Sequence, residues 1–156
     1  MRVVYRIALA KHARDLSGQG ARLNGGRWNN KGTAIIYTSE SRSLAAMEYL
    51  VHVSLPDIPA GLKIVSIGIP AAMKAKQVEP SDLPRNWHDY PPPFESADFG
   101  TKWVESGQGL LLRVPSAVIE HEFNILINPQ HPDRKHVKIK SIEDFMYDDR
   151  LHQAGK

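Results

Sequence analysis

Residues Gly18–Tyr37 read GQGARLNGGRWNNKGTAIIY, and this stretch decides how the rest of the chain is read. Five glycines (Gly18, Gly20, Gly25, Gly26 and Gly32), three asparagines and two arginines precede an abrupt apolar run. Glycine at this density lets a backbone turn tightly or approach a ligand closely, because no Cβ stands in the way. Arg22 and Arg27 add fixed positive charge carried on a planar donor fork suited to phosphate. The expectation is a flexible, anion-accepting loop that delivers Arg27 and Trp28 to the start of a strand, and with it a nucleotide site.

Working outward, Val3 to Leu9 has the β-branched and aromatic content of a strand, and Ala34 to Thr38 that of a second, buried one. Ser41 is placed to N-cap a helix running to about His52, with Leu44, Ala45, Met47, Leu50 and Val51 as its apolar positions. Leu62 to Ile69 is a further strand, ended by Pro70. From Val78 to Phe94 five prolines surround Trp87, His88 and Tyr90, which indicates a long surface loop pinned by its aromatics. A helix over Ala97 to Glu105 sets Phe99 and Trp103 four apart on one face. Strands at Gly109–Val114 and Phe123–Ile127 and a basic strand at His136–Ile142 complete an α+β domain dominated by sheet, taken as a single domain over residues 1–156.

Bulk properties narrow the function. The chain has 156 residues, 42% of them apolar, enough for one sizeable core. Its apolar runs are short and broken by charge or proline, which excludes a bilayer-spanning segment, and the N-terminus lacks the apolar core of a secretory signal. A cytoplasmic location follows as the expectation. Cysteine is absent, which removes disulfides, thiolate nucleophiles and cysteine-based zinc sites. The seven histidines show no metal-ligand spacing, so no metal is expected. The net charge of +3 is mild, and the Arg134–Lys140 cluster reads as a solvated face or strand edge rather than a nucleic-acid footprint. The glycines match neither the Walker A nor the Rossmann fingerprint.

Glu48 is the sharpest single residue. It lies four after Leu44 and three before Val51, on or beside the apolar stripe of its helix. A carboxylate there is either a rim residue reaching solvent or one aimed into a pocket beneath the glycine-rich loop, where it would stabilise a developing cation or act as a base. Tyr37 by itself reads as packing, but loop-to-strand and strand-to-helix connections put Arg27, Tyr37 and Glu48 within reach of one end of the sheet. Ser116, in RVPSAVI, lacks a nucleophile-elbow pattern; it is a turn serine, a ligand-amide partner or a residue that orients Glu48. Asn124 and Asn128 flank the ILI run as turn formers or ligand donors.

Taken in order, SGQGARLNGGRWNNKG, IIYTSES, SLAAMEYLVH, LLRVPSAVI, FNILINPQHPD and the closing DDRL resemble the RES-domain family, toxins of bacterial toxin–antitoxin pairs named for arginine, glutamate and serine positions. The resemblance covers nearly the whole chain and is weakest over Val78–Phe94. It implies a fold similar to ADP-ribosyltransferase toxins and an activity that consumes NAD as substrate, with no separate cofactor. Carried over by position, Arg27, Glu48 and Ser116 are the named trio. Tyr37 matches the tyrosine of the nicotinamide pocket, and Asn128 and Arg6 are further substrate-binding candidates. The resemblance further implies a helix-turn-helix antitoxin of Xre type covering the active site, DNA contact only through that antitoxin, no membrane partner, and a homodimer within the complex. Hydrolysis of NAD to nicotinamide and ADP-ribose is the leading expectation. Its rivals are ADP-ribosylation of a protein, an RNA-targeting toxin suggested by the Arg134–Lys140 cluster, and a non-catalytic nucleotide-binding module.

Overall fold

A computed structural model describes residues 1–152. In chain order the elements are β1 (Arg2–Leu9), α1 (Gln19–Asn24), β2 (Ile36–Ser39), α2 (Arg42–Leu50), β3 (Leu62–Ile69), β4 (Ala75–Gln77), α3 (Phe94–Ser106), β5 (Leu111–Pro115), β6 (Phe123–Ile127) and β7 (Lys138–Phe145), with short 3₁₀ turns between them. The strands form one seven-stranded sheet in the order β4-β5-β6-β2-β1-β3-β7. Among the described residues, only the short β4–β5 pair is parallel. The architecture is the expected α+β.

Side-chain alternation explains why the inner strands read as continuous apolar runs. In β6, Ile125 and Ile127 join Val4, Val65, Ile67, Ile69 and Leu111 in one core. Leu126, between them, points to the opposite face and packs with Leu112, Val114, Trp28, Trp103 and Val104. With both faces of a strand covered, polar residues have no outward side to occupy, so period-two patterning disappears. Helix α3 covers the second face and ends at Gly107, whose φ of 64° supplies the left-handed stop.

The sheet has one weak seam. β1 pairs with β3 along its whole length, from Arg2 opposite Ile69 to Leu9 opposite Leu62. Its other neighbour, β2, is joined by a single residue pair, Tyr5 opposite Ser39. Beyond that pair the strands splay, and the gap between them opens as a cleft.

Two local expectations are corrected. The glycine-rich stretch is neither wholly loop nor loose: Gln19–Asn24 forms α1, and the residues after it are tied down from several sides. Asn29 is buried and its amide donates to the carbonyls of Ala21 (2.8 Å) and Thr33 (3.0 Å). The Asn30 amide N–H is held by the Thr101 hydroxyl at 2.9 Å, and its side chain by Asp98 at 2.7 Å, both on α3. The second correction concerns α2, which ends at Leu50 and leaves Met47 and Val51 exposed, because β1 and β2 cover only its Leu44–Ala45 side.

Helix α3 and this loop meet at Gly100, where a Cβ would stand 1.8 Å from the Trp28 carbonyl oxygen. Only a residue without a side chain permits that approach. Gly100→Ala is therefore expected to lower stability by about 2 kcal/mol or more in denaturant titration, since the loop and helix must separate. Gly20→Ala, with nothing within 4 Å of its Cβ position in α1, is expected to be neutral or to stabilise by up to about 1 kcal/mol.

Candidate active site

The cleft at the β1–β2 seam is a cavity of about 630 Å³ lined by Tyr5 and Arg6 from β1, Tyr37 and Ser39 from β2, Glu48 from α2 and Asn124 from β6, with α1 and Gly25–Gly26 closing one side. Each lining group has a sequence reason to be there. Ser41 caps α2 by accepting the Leu44 N–H at 3.0 Å, so the helix starts three residues after the end of β2 and runs back along the cleft. Glu48 lies almost two turns into that helix and reaches the starting end of β6.

Two side chains converge on one carboxylate oxygen. The Ser116 hydroxyl donates to Glu48 Oε1 at 2.8 Å, and Asn124 Nδ2 donates to the same oxygen at 2.7 Å. Ser116 Oγ also accepts the N–H groups of Val118 and Ile119, each at 3.0 Å. With both lone pairs engaged, its hydroxyl proton is committed to Glu48. Ser116, 4% exposed, thus directs its hydroxyl proton to Glu48 and does not itself line the cavity. Asn124 is fixed in turn by Ser39, whose hydroxyl donates to Asn124 Oδ1 at 2.7 Å. Both bonds fall on Oε1, which leaves Oε2 of this cavity-lining residue clear of them.

Tyr37 contributes its ring to the cavity wall and its hydroxyl to the loop. The Trp28 N–H donates to Tyr37 Oη at 3.0 Å, and Tyr37 Oη–H donates to Asn29 Oδ1 at 2.6 Å. Burial raises the Tyr37 pKa far above the ordinary phenol value, so the hydroxyl remains a neutral donor. A Cβ on Gly26 would come within 2.8 Å of that oxygen.

The two arginines divide differently from the expectation. Arg27 does not line the cavity; its Nη1 donates to the main-chain oxygens of Trp87 (2.6 Å) and Asp89 (3.0 Å), clamping the proline-rich loop. Desolvation lowers its pKa, while the charges of Glu48, Tyr37 and Asp89 oppose that shift, so the guanidinium is a fixed cation close enough to feel the carboxylate. Trp87 stacks at a tilt on Trp28 with centroids 6.4 Å apart, whereas Tyr90, expected to help pin the loop, is 83% exposed. Arg6 does line the cavity. Its Nη2 donates to the carbonyls of His12 and Ala13, both at 3.1 Å, and of Asp15. Its Nε is buried without a hydrogen-bond partner among the described residues, and desolvation is the main influence lowering its pKa, with Asp15 opposing.

Asn128 stands apart. It follows the far end of β6 from Asn124, is 1% exposed, and uses its side chain to accept the Gln130 N–H (2.9 Å) and to donate to the Val104 carbonyl (3.3 Å). It closes the turn that contains Pro129 and does not line the cavity. The reading of the residues missed Ser39 altogether; the only available signal was a polar residue facing another polar residue, Asn124, in neighbouring strands.

A family model described as the RES domain matches residues 3–148 of this chain. The chain belongs to the RES domain family. Among similar curated proteins, the Prs ADP-ribosylating toxin of Sphingobium sp. (strain YBL2) is 40% identical over 141 residues, covering 89% of this chain and 88% of that protein. Toxin Res of Yersinia enterocolitica is 37% identical over 152 residues, covering 96% and 99%. Toxin Res of Photorhabdus laumondii is 35% identical over 159 residues, covering 99% of each. In fold, the RES domain described here is similar to a chain in the crystal structure of the M. tuberculosis MbcT–MbcA toxin–antitoxin complex, with a TM-score of 0.71 over 97% of this chain and 87% of that one, at 18% identity. The protein is a RES-family toxin.

Because Arg27 joins the glycine-rich loop to the proline-rich one, Arg27→Ala is expected to speed amide hydrogen exchange across residues 85–90 by about tenfold, read by mass spectrometry, while exchange in β3 stays unchanged. Tyr37→Phe strands the Trp28 N–H and Asn29 Oδ1 and is expected to lower stability by about 1–3 kcal/mol in denaturant titration.

Proposed function

We propose that this RES toxin consumes NAD by breaking the bond between nicotinamide and its ribose, with water as the leading acceptor. The observation that carries the reading is a carboxylate, Glu48, held through one oxygen by two donors while its residue lines a cavity large enough for a nucleotide. As the glycosidic bond lengthens, positive charge develops on the ribose ring and the electron pair leaves with neutral nicotinamide. A carboxylate fixed in place beforehand stabilises that charge without having to reorganise. Attack of water at the same carbon gives ADP-ribose and releases a proton.

The remaining residues take roles that follow from where they sit. Tyr37 offers an aromatic face on the cavity wall for the flat nicotinamide ring, its own orientation locked through the hydroxyl. Arg6, a half-buried cation on the cavity wall, suits the pyrophosphate. Arg27, engaged with the loop carbonyls, acts by positioning and by charge rather than by gripping phosphate. Ser116 acts through Glu48.

A second reading keeps the same bond cleavage but transfers ADP-ribose to a protein side chain; it is favoured by the 40% identical relative, which is named an ADP-ribosylating toxin. The toxin is further proposed to be restrained by an antitoxin. The fold it shares with a chain of a solved toxin–antitoxin complex, and the exposed Met47 on the helix that carries Glu48 with exposed Val51 directly after it, support that view.

Purified protein with NAD labelled on the adenine half and separately on nicotinamide tests the proposal. Release of nicotinamide with free labelled ADP-ribose is the expected result, reduced about 10²–10³-fold in Glu48→Gln. Adenine label retained on protein from a cell extract would instead establish transfer. Undiminished NAD, with RNA degraded in expressing cells, would overturn both.

A further inference from the structure

Asn124 and Ser39 are polar residues in facing strands at the heart of a sheet, and packing does not account for them. They stand opposite one another in the β2–β6 register. Ser39 is 3% exposed. Its hydroxyl has an alternative to donating, since it can also accept, and an asparagine amide can be turned end for end. Only one arrangement suits an ionised Glu48. A carboxylate oxygen accepts and cannot donate, so it requires Asn124 Nδ2 toward it, which leaves Oδ1 toward Ser39 and makes Ser39 the donor. Each link therefore fixes the direction of the next, and the chain ends where Ser116 approaches the same oxygen from the other side.

We infer that Asn124, oriented by Ser39, is a positioning residue for Glu48: it makes the second of two bonds to Oε1 and so fixes the rotation of the carboxylate that directs Oε2. Ser116 alone leaves the carboxylate free to swing about a single bond. Two donors from separate parts of the chain, β6 and the segment after β5, determine both its place and its plane. Hydrogen bonds to a charged acceptor are also the stronger kind. In its kinetic consequences the inference rests on the proposed NAD cleavage; in its geometric ones it does not.

The test pairs kinetics with crystallography. Asn124→Leu preserves shape and removes the donor, Ser39→Ala frees the amide to turn, and Ser39→Thr restores a hydroxyl. Circular dichroism and thermal melting establish that each variant folds. For Asn124→Leu the expected result is a fall in kcat for nicotinamide release of about 10–100-fold with KM for NAD within about threefold of the parent. Ser39→Ala loses about 3–10-fold in kcat, and Ser39→Thr recovers most of it. Crystal structures of the parent and of Asn124→Leu are expected to show the Glu48 carboxylate in one orientation and in several, respectively. An unchanged kcat, or a loss carried by KM, in folded Asn124→Leu would overturn the inference, as would an unmoved carboxylate. If the parent does not cleave NAD, the proposed reaction fails, and the two crystal structures still decide whether Asn124 positions Glu48.

Discussion

Backbone pairing that stops after one residue is the constraint on which this molecule is organised. β1 and β2 meet at Tyr5 and Ser39 and then part, although both are central in the sheet order and each pairs more extensively with its other neighbour. Splayed inner strands leave a gap that apolar side chains alone cannot fill, because backbone donors and acceptors line it. The cavity occupies that gap, with α1 and the glycine-rich loop along one side and α2 along the other. The weak seam and the candidate active site are one feature.

The loop bordering the cleft owes its shape to close approaches rather than to freedom. Gly26 lets the Tyr37 hydroxyl in, Gly100 lets α3 reach the Trp28 carbonyl, and Asn29 ties the loop to itself through buried bonds. Glycine density in a sequence suggests mobility; here two of the glycines mark places where the backbone is gripped. Such rigidity suits a site that must present a fixed aromatic wall to a ligand, since ordering the wall on binding would cost affinity.

Charge placement follows the same economy. The half-buried Arg6 cation lines the cavity, while the Arg27 cation holds the proline-rich segment by two carbonyls and is close enough to Glu48 for the carboxylate to support its charged form. Away from the cavity, Arg113 pairs with Glu40 through two 2.8 Å bonds and lies 3.7 Å over the Phe123 ring, bracing β5 against the residue that follows β2. That brace stiffens the strands from which Ser39 and Asn124 project.

Much of this was legible in the residues themselves. β3 and β6 carry their boundaries in apolar runs ended by proline or asparagine, Ser41 announces the start of α2, and Glu48 stands out as a carboxylate on an apolar stripe. Order along the chain also sufficed to recognise the family. What the residues left open were the partners of each polar group. Ser39, Glu48, Ser116 and Asn124 are separated by 68 to 85 positions where they bond, and they meet only because β5, β6 and β2 lie side by side. The same reasoning separates Asn124 from Asn128: one strand length apart in an identical-looking NILIN, the first enters the cavity and the second closes a turn. Sequence thus determined most of the elements, from local propensity and apolar patterning, with α1 and the three-residue β4 the exceptions. Tertiary structure alone decided which oxygen receives which proton, because hydrogen-bond direction depends on the neighbours that long-range strand order supplies.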